Sequence, residues 1–422
     1  GQKSTRPGRY VDFLAQNRHI MAHRSMDSTH GPVHNGSTPS LSSLLRAARA
    51  PPQTDHHHPF SVPAMAHNRT LPHNDLPPLP PAAELETRAV LKRAIEASRV
   101  LANLRGLAAQ IPNQVLLINS IVLQEARLSS EIENIVTTND ALYKADIDPD
   151  GRTDPHTKEV LRYREALKFG FAALKDRPLS TNLFVDIVRI IKQQDIGVRR
   201  TSGTALKDGT GQIIYTPPVG ESVIRDKLGN LEQFIHARDD FDPLVKMAVM
   251  HYQFEAIHPF DDGNGRTGRI INLLYLVHAG LLDIPVLFLS RYIMANKPQY
   301  YTLLRGVTEQ QAWEPWVLYM LDAIISTAQQ THDQVTRIRS LMEEVRQRVQ
   351  KEAPSIYSKD LIEVIFRHPY TKIQFLVDAG LAQRQTASSY LQKLATLGVL
   401  RPEKQGRETY YINDALFAEL AR

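Results

Sequence analysis

The sequence predicts a mainly α-helical protein with one β-hairpin and a small winged-helix domain at its C-terminal end. Three observations lead there. Apolar residues recur at helical spacing from Glu84 to about Gln350, broken by short loops at Asp146 to Pro155 and Asp239 to Pro243. One stretch, Thr204 to Pro218, carries hairpin chemistry instead. Past residue 350 the pattern changes to three short helical segments and a wing. The expected domains are 1–80, a disordered extension or tag; 81–350, the helical domain; and 351–422, a winged helix-turn-helix.

Composition removes several function classes. The 422 residues allow two or three domains, and 42% hydrophobic with 23% charged residues is ordinary for a globular chain. No apolar run approaches the roughly 18 uncharged residues of a membrane span, so no membrane partner is expected. The absence of cysteine rules out disulfides, thiolate zinc sites and thiol catalysis, and points to a reducing, cytoplasmic setting. Residues 1–80 hold eight Lys/Arg against four Asp/Glu, +4 of the total +5, so the basic pI of about 9.2 says little about partners of the folded part.

That first stretch is rich in Pro, Ser and His, includes His56-His57-His58, and runs into the cluster Pro77-Pro78-Leu79-Pro80-Pro81. Such a composition favours disorder. The chain opens on Gly1 rather than Met, as a processed tag or an upstream extension would, and Met65 is the expected natural start. No apolar core follows the basic residues, so no signal peptide is expected.

The next element is a helix over about Asn113 to Val136, with apolar positions at Leu116, Leu117, Ile121, Val122, Ile132 and Val136. Ser129 and Glu133 stand one turn apart on it and face the same way. In the hairpin, Asp208-Gly209 and Gly211 supply the turn, Ile213-Ile214-Tyr215 the β-prone strand, and Pro217-Pro218 its end.

The densest chemistry lies in twelve residues, His258-Pro259-Phe260-Asp261-Asp262-Gly263-Asn264-Gly265-Arg266-Thr267-Gly268-Arg269. They combine a base, a metal-ligand carboxylate, a glycine-rich turn and two arginines. The apolar run Ile270, Ile271, Leu273, Leu274 and Leu276 starts a helix inside the motif, so an anion would meet unpaired N–H groups and the positive end of a dipole. Arg266 and Arg269 are neighbours on one helix face, and two guanidinium forks suit a polyphosphate. Histidine titrates near neutrality, at about 6.5, and can take a proton from a hydroxyl. A second reading aligns His251, Glu255 and His258 on one helix face as a metal-dependent phosphohydrolase site. It leaves both arginines and the glycines without a task.

The twelve residues resemble the Fic motif, His-x-Phe-x-(Asp/Glu)-Gly-Asn-Gly-Arg-x-x-Arg, at every specified position. The resemblance implies a Fic-type helical domain with a β-hairpin flap, and a protein adenylyltransferase that moves AMP from ATP to a Ser, Thr or Tyr hydroxyl of a target protein or of itself. It implies His258 as general base, Asp262 as the Mg2+ carboxylate, and Gly263, Asn264, Gly265 and Arg266 as the phosphate cradle. Arg269 would grip the γ-phosphate and Phe260 anchor the loop. Gly265 speaks against the Doc branch, which transfers phosphate. Ser129 to Asn134 is similar to the family's inhibitory pattern (Ser/Thr)-x-x-x-Glu-(Gly/Asn), which implies that Glu133 pairs with Arg269 in place of the γ-phosphate. The resemblance further implies that Ile213, Ile214 and Tyr215 hold the target's backbone beside His258 by strand addition. Asn296, Tyr300 and Tyr301 fall where relatives line the far side of the nucleotide. Relatives also remove AMP with the inhibitory glutamate or form homodimers, and both remain open here.

Trp313 and Trp316, near Leu318, Leu321 and Ile324, read as the core of a late helix. The C-terminal helical patterns are Lys359 to Phe366, Thr371 to Asp378 and Arg384 to Leu397, with a turn at Gly380 and a wing over Leu400 to Ile412 turning at Gly406. The third bears Arg384, Gln385, Thr386, Ser388, Ser389 and Lys393, suited to DNA or, equally, to a protein contact. A DNA-binding regulator with a nucleotide-sensing Fic domain is therefore the alternative function.

Overall fold

In the computed structural model, residues 67–109, 114–148, 153–405 and 408–422 are described. Of the 1–80 extension, residues 1–66 lie outside that set, but 67–80 are packed. Leu76 and Leu79 are buried between the prolines, the His73 N–H donates to Thr216 O at 3.0 Å, and Val219 N donates to Asn74 Oδ1 at 2.8 Å. Proline-rich composition suggests disorder, yet two leucines in it suffice to dock an extended strap whose hydrogen bonds go to its neighbours. Order therefore begins before residue 81.

The helices α1 (Arg88–Ala109), α2 (Gln114–Ile132), α3 (Asn139–Ile147), α4 (Pro155–Ala173) and α5 (Thr181–Lys192) come first. Then follows the hairpin β1 (Leu206–Lys207) and β2 (Ile213–Tyr215), antiparallel with Leu206 opposite Tyr215 and an irregularity beside it. Helices α6 (Glu221–His236), α7 (Pro243–Ile257), α8 (Asn264–His278), α9 (Leu289–Ala295), α10 (Lys297–Gln310) and the 40-residue α11 (Trp313–Glu352) complete the larger part. Capping follows local chemistry: Asp154 and Asp242 accept from the first turns of α4 and α7, each of which opens on proline. Helices α7 and α8 are buried nearly all round, as expected of core helices. Among the described residues no helix is long and apolar enough to cross a membrane.

The expected helix over 113–136 is shorter than its apolar pattern. It ends at Ile132, because Asn134 turns left-handed (φ 64°) and Ile135 N bonds back to Ser130 O at 3.0 Å. Asparagine tolerates that conformation and glycine prefers it, which gives a physical reason for the last position of the inhibitory pattern. Glu133 thus sits on the closing turn of α2, not within the helix.

The C-terminal part contains α12 (Lys359–Arg367), β3 (Tyr370–Thr371), α13 (Ile373–Asp378), α14 (Arg384–Thr396), β4 (Arg401–Gln405), β5 (Glu408–Ile412) and α15 (Asp414–Ala421). Its strands form an antiparallel sheet in the order β3-β5-β4, and the turn expected at Gly406 lies outside the described residues. Helix α15 was not read from the sequence; Asn413 caps it, and only Leu416 and Leu420 are buried, too short a pattern to register. This part docks on the segment that follows α2. Tyr370 donates to Asp140, Lys144 Nζ reaches Glu403 Oε1 at 3.2 Å, and His368 Nδ1 lies 3.4 Å from Asp146 Oδ2.

Candidate active site

Helices α7 and α8 meet at the loop 258–263, and the site is built where they meet. His258 caps α7 in a left-handed conformation (φ 49°, ψ 60°), its N–H bonded to Phe254 O at 3.0 Å. Such a conformation in a non-glycine residue is strained and needs outside support. Arg199 supplies it: Nε donates to His258 O at 2.8 Å, Nη2 donates to Pro218 O, and its own N–H donates to Pro259 O at 2.9 Å. One buried guanidinium thus ties the imidazole's backbone to the end of the flap. Burial, then the Arg199 charge, pushes the His258 pKa down to about 4 against the raising effect of Glu133 and the Glu255 backbone, so the ring is neutral and can accept a proton.

Phe260 is fully buried, and Asn264 closes the loop on it. Phe260 N donates to Asn264 Oδ1 at 2.9 Å, while Asn264 Nδ2 donates to Phe260 O at 2.7 Å. The Asn264 side chain is therefore spent on the loop, and what this residue offers an anion is its backbone at the start of α8. Gly263 turns left-handed (φ 85°) in front of that helix, and a Cβ there would press on Val188 at 3.0 Å. A Cβ at Gly265 would collide with Glu133 Oε1, so glycine is what lets that carboxylate approach.

Both arginines are buried and both are held. Arg269 Nε donates to Ser129 Oγ, and its Nη2 to Ser129 O and to Glu133 Oε1, all at 2.8 Å. Burial opposes the Glu133 charge, but Arg269 more than compensates and holds that carboxyl below its ordinary range. Arg266 Nη1 donates to Glu159 Oε1 at 2.5 Å, Nη2 lies 3.6 Å from Asp262 Oδ1, and Nε has no partner. Asp262 is 60% exposed, accepts from Gly263 N at 2.5 Å, and pairs with Lys192 Nζ. Arg199, Glu159 and Lys192 were not singled out from the sequence. Each comes from an element remote in sequence from the motif, and an isolated charged residue carries no local signature.

Asp262 is the carboxylate the sequence assigned to Mg2+. Among the described residues no cluster of three or more His, Cys, Asp or Glu could hold a metal on protein ligands alone. One exposed hard-oxygen carboxylate beside an anion cradle fits an ion that takes most of its ligands from phosphates and water, as Mg2+ does. The alternative metal site dissolves. His251 Nε2 bonds Tyr300 Oη at 2.9 Å and its ring stacks on Trp316, while Glu255 lies under Gly268 with its pKa raised to about 7 by burial. Tyr300 and Trp316 are thereby core residues. Tyr301 is exposed, and Asn296 Nδ2 bonds Tyr292 O at 2.9 Å.

The flap stands beside this loop. Ile213 and Ile214 are partly exposed, whereas the Tyr215 side chain points inward and its hydroxyl donates to Ala256 O at 2.8 Å. Any strand addition there uses the backbone of Tyr215, since its ring is an anchor. On α14, Arg384, Gln385, Thr386, Ser389 and Lys393 are exposed and Ser388 is partly so.

Residues 178–276 match the Fic/DOC family, residues 91–172 match the Fic/DOC family N-terminal domain, and residues 341–416 match the protein adenylyltransferase SoFic-like C-terminal domain. Over 81 residues the chain is 35% identical to a probable protein adenylyltransferase of Aquifex aeolicus (strain VF5), covering 19% of this chain and 25% of that protein. Over 146 residues it is 26% identical to a protein adenylyltransferase Fic of Nematostella vectensis, covering 34% of each. The matches thus span a quarter to a third of those relatives. In fold, the chain is similar to a Fic family protein from Desulfovibrio desulfuricans G20, with a TM-score of 0.51 at 20% identity over 78% of this chain and 96% of that one.

Proposed function

We propose that this chain, which carries the Fic/DOC family's domains, is a protein adenylyltransferase restrained by its own Glu133. The observation that carries the reading is the pair of buried guanidiniums at the N-terminal end of α8, beside a neutral histidine and an exposed carboxylate. Two forks and the first-turn N–H groups are set for a triphosphate. Arg269 takes the γ-phosphate once Glu133 withdraws, Arg266 adds a second positive charge from the same helix face, and Asp262 would hold Mg2+. The ion, when bound, offsets charge on the phosphates.

His258 accepts the proton of a target hydroxyl as that oxygen attacks the α-phosphorus. The α–β phosphoanhydride bond breaks, pyrophosphate leaves, and AMP stays on the target. The β2 backbone beside it holds the target strand, with Ile213 and Ile214 partly exposed. In the resting chain Glu133 occupies the Arg269 fork, so ATP binds weakly or with its α-phosphate out of line. The exposed polar face of α14 supports a recognition role for the C-terminal part, read as a winged helix, toward DNA or a protein.

Intact-protein mass spectrometry of the Glu133→Gly form with ATP and Mg2+ tests the reading. The expected outcome is protein carrying added AMP, on itself or on a target, that disappears in Glu133→Gly/His258→Ala. Nucleotide that binds without covalent transfer would favour the regulator alternative.

A further inference from the structure

Lys192 enters the cradle from outside the twelve-residue motif. It is the last residue of α5, and Gln193 ends that helix in a left-handed conformation (φ 53°), so the ammonium lies at the end of a helix where the dipole favours a cation. Its Nζ lies 2.5 Å from Asp262 Oδ2 and 3.3 Å from Glu159 Oε1, and that same Glu159 oxygen holds Arg266 Nη1 at 2.5 Å. The stem is packed on the loop: a Cβ on Gly263 would sit 3.6 Å from Lys192 Cδ. Lys192 is 17% exposed against 60% for Asp262, so a well-covered ammonium sits on an open carboxylate.

We propose that Lys192 is the resident counter-ion of Asp262, occupying the carboxylate that a divalent cation needs and yielding it only when metal and nucleotide arrive together. The inference rests on the reading of Asp262 as the metal carboxylate. An ammonium in hydrogen-bond contact neutralises that group and repels a second cation. Lys192 therefore acts as a positioning residue that sets how much Mg2+ adds to nucleotide affinity. Glu159 gives the displaced ammonium a place to go, since it already touches it. A phosphate-binding role would have the opposite sign, because removing the charge would then weaken nucleotide binding.

The test is equilibrium binding of α,β-methylene-ATP to the full chain in the Glu133→Gly background, in Mg2+ and in EDTA. Lys192→Met keeps the stem against Gly263 and removes the charge; Lys192→Arg keeps the charge. The expected result for Lys192→Met is an affinity roughly twofold to fivefold tighter in Mg2+, the range of an ion pair, with little change in EDTA. Lys192→Arg stays near the parent. An Mg2+ affinity that is unchanged or weaker in Lys192→Met overturns the inference. Asp262→Asn separates the two readings, since it should erase the Mg2+ advantage whatever stands at 192. If the advantage survives in Asp262→Asn, the metal is not held there, and the assignment of Asp262 fails together with the inference.

Discussion

Arg266 and Arg269 stand one turn apart on α8 and are equally buried, at 2% exposure each, yet the walls they face differ. The α2 wall gives Arg269 three acceptors, Ser129 Oγ, Ser129 O and Glu133 Oε1, and leaves it fully covered. The wall made by α4 and α5 gives Arg266 one close carboxylate, leaves its Nε free, and opens on the exposed Asp262. An incoming anion meets one carboxylate and the exposed Asp262 on the Arg266 side, and must evict a carboxylate on the Arg269 side. In the proposed function the restraint therefore belongs to α2 and its closing turn, while the α4–α5 wall positions.

The largest effect lies outside both walls. In the Glu133→Gly background, His258→Ala should lower AMP transfer by about 10²–10⁴-fold, the usual worth of a general base, measured with labelled ATP. Retained transfer would mean that neither wall serves this histidine. Next comes the α2 wall itself. Losing a charged hydrogen bond of about 1.5–3 kcal/mol should let Glu133→Gly raise transfer by about 10–100-fold over wild type. Equal rates would erase the contrast between the walls.

Glu159→Gln probes the other side. It leaves a buried guanidinium without its carboxylate, so it should destabilise the fold by about 1–3 kcal/mol in denaturant titrations and fail to activate. Activation matching Glu133→Gly would make the walls equivalent.

The smallest effect is a displacement in pH. Burial and Arg199 depress the His258 pKa from 6.5 to about 4, the neutral ring is the base, and activity is lost as pH falls through the lowered value. The kcat/KM of Glu133→Gly should stay level from about pH 8 to about pH 5.5 and fall only below that. A midpoint at the unperturbed value of about 6.5 would show that the pocket leaves the ring unshifted.

The helical domain and the loop from His258 to Arg269 were legible because their signals are local: helical periodicity, and a dozen consecutive residues each with a task. Ser129 and Glu133 were legible as a pair one turn apart, and their meeting with Arg269 came from a resemblance, not from periodicity. Arg199, Glu159 and Lys192 were not legible, since each reaches the site from tens of residues away and looks like any surface charge until the fold buries it. Tyr215 was read as part of a strand that would hold a target by its backbone; which way its side chain points is not legible in so short a strand, and the hydrogen bond to Ala256 turns it inward. The strap 67–80 was masked by its prolines.

Labelling of the Glu133→Gly form and of wild type with ATP carrying its label on the α- or on the γ-phosphate tests the central claim most directly. The expected result is protein labelled from the α-position only, and far more strongly without Glu133. Label arriving from the γ-position, or equal α-label with and without Glu133, would contradict it.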